Sequence, residues 1–259
     1  MINRIEQALE AFKKQEYDTA LDIFSSLVET GEESAEIYNN IGLCYANKGN
    51  FEKAEDNFLN AIKLNSKLPQ IYVNLADLYY KAHDYDSGIQ LLSQGVYEMP
   101  DEMVLAHYLA RFYMEDARLD LAIDELEKIL EKQPENYDAY YDLGKVHFEL
   151  WNYSIAAENF ENVLEYIENN EWIYYYLGQA YEANDEVDKA LSNFLKAVTI
   201  NETFHPAYKK AAILFLARGD YEDAIEYFES YLELNIPEEE KENITNLVER
   251  IKKKQENEQ

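Results

Sequence analysis

The chain has 259 residues and a formal net charge of −29, from 52 acidic and 23 basic side chains, with 47% hydrophobic content. A field of that sign repels nucleic acid and anionic lipid surfaces, while the apolar content is enough to fill a continuous core. No stretch approaches the ~20 consecutive apolar residues of a membrane span, and the single cysteine, Cys44, excludes an internal disulfide. Eight glycines and five prolines are too few to build a flexible linker. With an internal repeat that begins almost at Met1, no signal peptide is expected. Together these features are those of a cytoplasmic protein in reducing surroundings.

In chain order the sequence repeats itself seven times at a spacing of 34 residues without insertion. A small residue falls at Ala20, Ala54, Gly88, Ala122, Ala156, Ala190 and Ala224, and four positions later a large apolar one, at Phe24, Phe58, Leu92, Leu126, Phe160, Phe194 and Phe228. A fixed period of this length is the mark of a solenoid, in which each unit completes its core against its neighbours. The predicted repeats are 1–34, 35–68, 69–102, 103–136, 137–170, 171–204 and 205–238.

The first repeat is atypical, with Ala8 and Ala11 on its first helix, as terminal units usually are. In the second, Tyr38, Ile41, Gly42 and Tyr45 recur at helical spacing, a turn containing Gly49 follows, and Phe51, Ala54, Phe58 and Ala61 resume the period. This predicts two antiparallel helices of about 13 residues each, with Gly42 and Ala54 where they cross. The third repeat carries Gly88 and Gly95 in its second helix. Each glycine costs roughly 0.5–1 kcal/mol of helix stability relative to alanine, which predicts a soft point there. Between Lys145 and Lys189 there is no Lys or Arg, only acids. That stretch is either a solvated face or a field that steers a basic partner. After Pro237 the register changes, and Ile244, Leu247, Val248 and Ile251 form one apolar stripe. Residues 239–259 therefore read as a capping helix and a polar tail that frays from Lys252.

These residues make the chain similar to the tetratricopeptide repeat family, a 34-residue helix–turn–helix repeat. The family's Leu–Gly pair appears as Ile41-Gly42, Leu75-Ala76, Leu109-Ala110, Leu143-Gly144, Leu177-Gly178 and Ala211-Ala212, and its following aromatic as Tyr45, Tyr79, Tyr113, Tyr181 and Phe215. The resemblance covers residues 1 to about 238. It implies an all-α fold, an α-α superhelix (solenoid) of seven helix pairs plus a C-terminal capping helix. It also implies a concave groove lined by the first helix of each repeat, without cofactor or metal. Carried onto this sequence, the groove places bring Tyr141, Phe148, Trp172 and Tyr175 around Arg111, Lys145 and Gln179, with Tyr80 one repeat earlier. None of the four aromatics holds one of the family's core places. They either bind a ligand, as aromatic and arginine side chains do in interfaces, or brace neighbouring repeats.

Two recognition patterns of the family can be sought. A carboxylate clamp needs a Lys–Asn pair that no repeat carries. A ladder of asparagines gripping peptide backbone has at most two rungs, Asn40 and Asn74.

Enzymatic chemistry has no constellation to stand on. The four histidines, His83, His107, His147 and His205, lie in different repeats, and Cys44 in another. This is no metal-ligand spacing, and Cys44 reads as a packed hydrophobe or, alternatively, a reactive thiol. The sequence thus predicts a non-catalytic scaffold that binds a protein or peptide in its groove, with the net charge favouring a basic partner and excluding nucleic acid and membrane. The alternative is a structural or assembly protein that uses its termini or convex face.

Overall fold

The computed structural model of the chain describes residues 3–258, and the side chains of residues 3–255. Among the described residues there are fifteen α-helices and no strand. The chain falls into two compact units, the first ending at Lys132 and the second beginning at Gln133. The first unit holds α1 (Arg4–Lys13), α2 (Tyr17–Glu29), α3 (Ala35–Asn47), α4 (Phe51–Leu64), α5 (Pro69–Lys81), α6 (Tyr85–Glu98), α7 (Met103–Glu115) and α8 (Leu119–Lys132). The second holds α9 (Tyr137–Glu149), α10 (Tyr153–Leu164), α11 (Glu171–Ala183), α12 (Val187–Ile200), α13 (His205–Arg218), α14 (Tyr221–Glu233) and α15 (Glu238–Glu258). Successive helices pack as antiparallel pairs, one pair per predicted repeat, with α15 left over as the cap. No described helix is long and apolar enough to cross a membrane.

The start of many helices is written in the sequence. Side-chain oxygens of Asn3, Ser34, Asn50, Asp84, Asn136 and Asn170 accept hydrogen bonds from the first-turn backbone, satisfying donors that have no partner within the helix. Asn3 and Glu6 close a reciprocal capping box.

The end of the first helix of every repeat is built in one way. In the fifth repeat the Trp151 N–H donates to Phe148 C=O at 3.1 Å and the Asn152 N–H to His147 C=O at 2.8 Å. These two bonds are a Schellman motif. The same pair recurs at Gly49 and Asn50, at Ala117 and Arg118, and in each remaining repeat. Its pivot takes a left-handed backbone: Gln15, Gly49, His83, Ala117, Trp151, Asp185 and Gly219 all have φ between 56° and 83°. Only two of these seven are glycine, the residue that adopts the conformation without steric cost.

Close crossings form as the small residues predict. A Cβ added to Gly42 would stand 2.7 Å from the ring of Phe58, and Gly144 and Gly178 meet Phe160 and Phe194 at the same distance. Ala20, Ala54, Ala122, Ala156, Ala190 and Ala224 are fully buried.

The third repeat departs from the expectation of a soft point. A Cβ on Gly88 would lie 1.9 Å from Phe112, a ring contributed by the following repeat, and one on Gly95 would lie 2.9 Å from Tyr72. The two glycines make room for two fully buried aromatic rings, so the lost helix propensity is offset by burial worth ~1.5–3 kcal/mol for a Phe side chain.

At the C-terminal end, Ile244, Val248 and Ile251 are buried against Phe228, Tyr231 and Ile236, with Leu247 half-buried beside them. Lys209 Nζ donates to Glu240 Oε1 at 2.5 Å, and Lys252 pairs with Glu229 at 2.7 Å. The helix runs on through Lys252 to Glu258, so the polar tail, predicted to fray, is helical.

Two expected outcomes test these features by chemical denaturation. Gly88→Ala adds a good helix former yet should lower stability by about 1–3 kcal/mol, because Phe112 has nowhere to move. Propensity alone predicts a gain of roughly 1 kcal/mol. Ala117→Gly relieves a left-handed alanine and should raise stability by about 0.5–1 kcal/mol, net of the freedom glycine adds to the unfolded chain.

Candidate functional site

In the second unit, α9 and α11 are the first helices of repeats five and six, each of 13 residues. Their faces carry residues three or four positions apart, which share one side of a helix. Trp172 and Tyr175 stand on α11, and Gln179 one turn on donates from Nε2 to Tyr175 Oη at 3.3 Å. Trp172 meets Phe204 edge-on at 4.7 Å between ring centroids, and Tyr175 and Tyr176 each at 6.1 Å. Tyr175 rests on Phe194 at 5.7 Å. On α9, Tyr141 packs against Phe160 at 6.0 Å and Tyr176 at 5.9 Å, and Lys145 Nζ lies 5.8 Å from the centre of the Tyr141 ring. Phe148 sits apart from this array and packs on Tyr153 at 5.2 Å.

The structure therefore joins Tyr141, Lys145, Trp172, Tyr175 and Gln179 through a ring the sequence reading passed over. Tyr176 stacks on Phe160 at 5.8 Å with planes 17° apart and touches Tyr141, Trp172 and Tyr175. Three adjacent tyrosines on one helix, Tyr174 to Tyr176, were the available signal. Burial is graded across the array. Tyr141 and Tyr175 are half-buried against the core and their phenols are pushed above the ordinary tyrosine range, chiefly by burial. Trp172 remains 46% exposed.

Beside Trp172 is an open hollow of about 270 Å³, lined by Tyr137, Asp138 and Tyr141 of α9, Val163 and Ile167 where α10 ends, Asn170, and Trp172 and Ile173 of α11. It exists because α10 stops at Leu164, leaving six residues to reach α11. Its wall is aromatic and aliphatic, with Asp138 exposed at its edge. At the other end of α11, Lys210 Nζ pairs with Glu182 Oε2 at 2.7 Å.

The first unit holds the other predicted residues. Asn74 is engaged at both ends of its amide: Nδ2 donates to Asn39 Oδ1 at 2.8 Å, and Oδ1 accepts from Gln70 Nε2 at 2.9 Å. The Asn74 amide, expected to grip a peptide backbone, is thus engaged within the chain. Asn74 lines a hollow of about 120 Å³ with Leu43, Asp77 and Lys81, and Asn40 is not part of that wall. Tyr80 and Arg111 share a second hollow, of about 170 Å³, with Asp77, Tyr108 and Phe112. Tyr80 donates to Glu115 Oε1 at 2.7 Å. Burial pushes the Asp77 carboxyl above its usual range, against the opposing pull of Lys81, the Tyr108 hydroxyl and Arg111.

Cys44 is fully buried, and burial pushes its thiol up to about 11, so almost none is thiolate at neutral pH. Among the described residues, no group of three or more His, Cys, Asp or Glu could hold a metal ion.

Comparison with known proteins agrees with this architecture. Sequence models described as tetratricopeptide repeat match residues 35–68 and, in a second form, 109–154, 141–203 and 209–240, together more than half of the chain. A 113-residue stretch is 25% identical to BBSome complex member BBS4 of Bos taurus, covering 44% of this chain and 22% of that protein. The match therefore spans about a fifth of that relative. The crystal structure of the C-terminal part of a TPR repeat-containing protein from Cytophaga hutchinsonii superposes with a TM-score of 0.77 at 18% identity, covering 93% of this chain and 98% of the other. YrrB, a TPR protein with an unusual peptide-binding site, superposes with a TM-score of 0.58 at 21% identity over 69% of this chain and 92% of its own. With the 34-residue period, the buried small–aromatic crossings and these matched segments in agreement, the chain belongs to the tetratricopeptide repeat family.

Proposed function

We propose that this chain is a non-catalytic scaffold that holds a segment of a partner protein along the first helices of repeats five and six. The observation that carries the reading is the apolar hollow beside Trp172, whose indole is half exposed at its wall. A bulky apolar side chain of the partner enters the hollow, and Trp172 closes over it. Half-buried Tyr141, Tyr175 and Tyr176 hold the indole in place without themselves supplying most of the contact. Aromatic anchors seated in pockets of this kind dominate interface energetics.

Charge selects the rest of the segment. The chain carries −29 overall, Asp138 stands at the rim, and no Lys or Arg occurs between Lys145 and Lys189. A ligand with lysines or arginines flanking its apolar anchor gains in encounter rate and in discrimination against acidic competitors. In the first unit, the hollow of Tyr80, Asp77 and Arg111 mixes both signs and suits polar contacts with a peptide. The fold is one shared with YrrB, described as having an unusual peptide-binding site, and a 113-residue stretch is similar in sequence to a BBSome complex member. The partner is a protein segment and not nucleic acid or membrane, and the setting is cytoplasmic, where the buried thiol of Cys44 stays reduced.

A displayed peptide library selected against the whole chain tests this. The selected peptides should carry a large apolar residue flanked by Lys or Arg. In titration of one such peptide, Trp172→Ala should weaken binding about 30-fold or more, the equivalent of ~2 kcal/mol. Lys196→Ala, on the exposed face of α12, should change it less than twofold, and circular dichroism checks both folds. Equal affinities for the two variants would remove the groove from the account and move the partner contacts to the ends or the convex face.

A further inference from the structure

The turn that joins α9 to α10 presents the other tryptophan of a chain that has only two. Trp151 occupies the left-handed pivot of the fifth repeat's Schellman motif, with φ of 64°. The same place elsewhere holds glycine, alanine or a polar residue. A left-handed backbone disfavours a bulky side chain most, and the fold recovers little from it here. The indole is 78% exposed and stacks on no other aromatic ring among the described residues. Four positions on, in the first turn of α10, Ile155 is 44% exposed. The placement of these two apolar side chains is unexplained by packing.

What surrounds them states what they suit. Glu149 precedes the turn and Glu158 follows on α10, both exposed. The turn of the sixth repeat lies alongside, since Ser154 Oγ donates to Asn184 Oδ1 at 3.3 Å. That turn carries Asp185, exposed and also left-handed. The first cation beyond, Lys189, is held by Glu186 at 2.6 Å and lies over the Tyr181 ring at 4.6 Å. The edge thus offers an exposed indole face among Glu149, Glu158 and Asp185, while Lys189 and the Arg218 that reaches Asp188 at 2.9 Å are each already engaged by carboxylates. Tryptophan is the aromatic ring that attracts a cation best, and the guanidinium the cation most often found on it.

We propose that the turn edge of repeats five and six, centred on Trp151, is a second docking surface, which takes an arginine-bearing segment of a partner protein. A guanidinium lies on the indole, Ile155 meets the segment's aliphatic parts, and Glu149 and Asp185 neutralise neighbouring cations. This edge is separate from the Trp172 hollow. The hollow lies at the starts of α9 and α11, and Trp151 lies past the end of α9, one 13-residue helix away, about 20 Å at ~1.5 Å rise per residue. The proposal stands whether or not the hollow binds a ligand.

The two tryptophans make the test selective. In the Trp172→Phe chain all indole emission comes from Trp151, and in the Trp151→Gly chain all comes from Trp172. The probe is an octapeptide of alternating arginine and glycine, with citrulline replacing arginine in the control. The arginine peptide should change Trp151 emission saturably in the Trp172→Phe chain, and the citrulline peptide should not. Trp151→Gly should weaken binding at least tenfold, while its denaturation midpoint equals or exceeds wild type because the left-handed pivot is relieved. Trp151→Gln, which copies the first repeat's Gln15, should weaken binding likewise and guards against a misfolded glycine variant. Unmoved Trp151 emission at millimolar peptide would overturn the proposal. So would wild-type affinity in both Trp151 variants. Binding that survives these variants but is lost on Trp172→Phe would assign the cationic ligand to the hollow instead.

Discussion

In each repeat a fully buried small residue lets the second helix lie against the first, and an aromatic or leucine side chain four positions later fills the angle between them. The tolerance is tight. The rings of Phe58, Phe160 and Phe194 approach so near to Gly42, Gly144 and Gly178 that one added carbon would stand 2.7 Å away. Interiors packed to that density transmit any change in volume to their neighbours. The spacing of the crossings along the chain sets where each following helix begins, and so where α9 and α11 present their outer faces. The Trp172 array depends on the same geometry, because Tyr141, Tyr175 and Tyr176 are propped on Phe160 and Phe194, the very rings that fill the crossings.

Polar contacts add a second register between repeats at the turn edge. Arg118 reaches back to Asp86 at 2.7 Å, Arg218 to Asp188 at 2.9 Å, and Lys48 pairs with Asp18, each linking a turn to the start of the preceding repeat's second helix. All three aspartates are largely exposed. Each such pair contributes on the order of 0–1 kcal/mol and is weakened by salt. They place adjacent turns beside one another without carrying the stability of the stack. Their use of basic side chains leaves the remaining surface still more acidic.

Much of this was legible because the relevant signals are periodic. Ala54 and Phe58, repeated every 34 residues, disclosed the helix pairs, and the resemblance to the family, through its groove places, put Trp172, Tyr175 and Gln179 together on α11. What escaped the reading depends on partners that periodicity does not connect. Gly88 looked like a weakness because Phe112, the ring that fills its space, lies in the next repeat, at a place where the neighbouring repeats carry smaller residues. The left-handed pivots were hidden because five of the seven are not glycine. Tyr176 escaped notice because its role comes from stacking on Phe160 of the preceding repeat, a contact that no spacing within α11 discloses. Asn74, expected to grip a peptide backbone, has its amide engaged within the chain by Asn39 and Gln70, side chains that the 34-residue period does not link to it.

The exchange of volume between Gly88 and Phe112 limits how far the repeats are modular. The crossings of repeats two, five and six are each closed by a glycine and a ring of the same repeat, and such a unit could be duplicated, deleted or grafted with its own complement intact. Repeats three and four share one crossing between them: the space is on α6 and the ring that needs it is on α7. A copy of repeat four set after a repeat with alanine in place of Gly88 would collide, and repeat three set before a repeat with a smaller side chain in place of Phe112 would leave a void. Any recombination of this array, by evolution or by design, has to carry these two repeats together as a single inherited block.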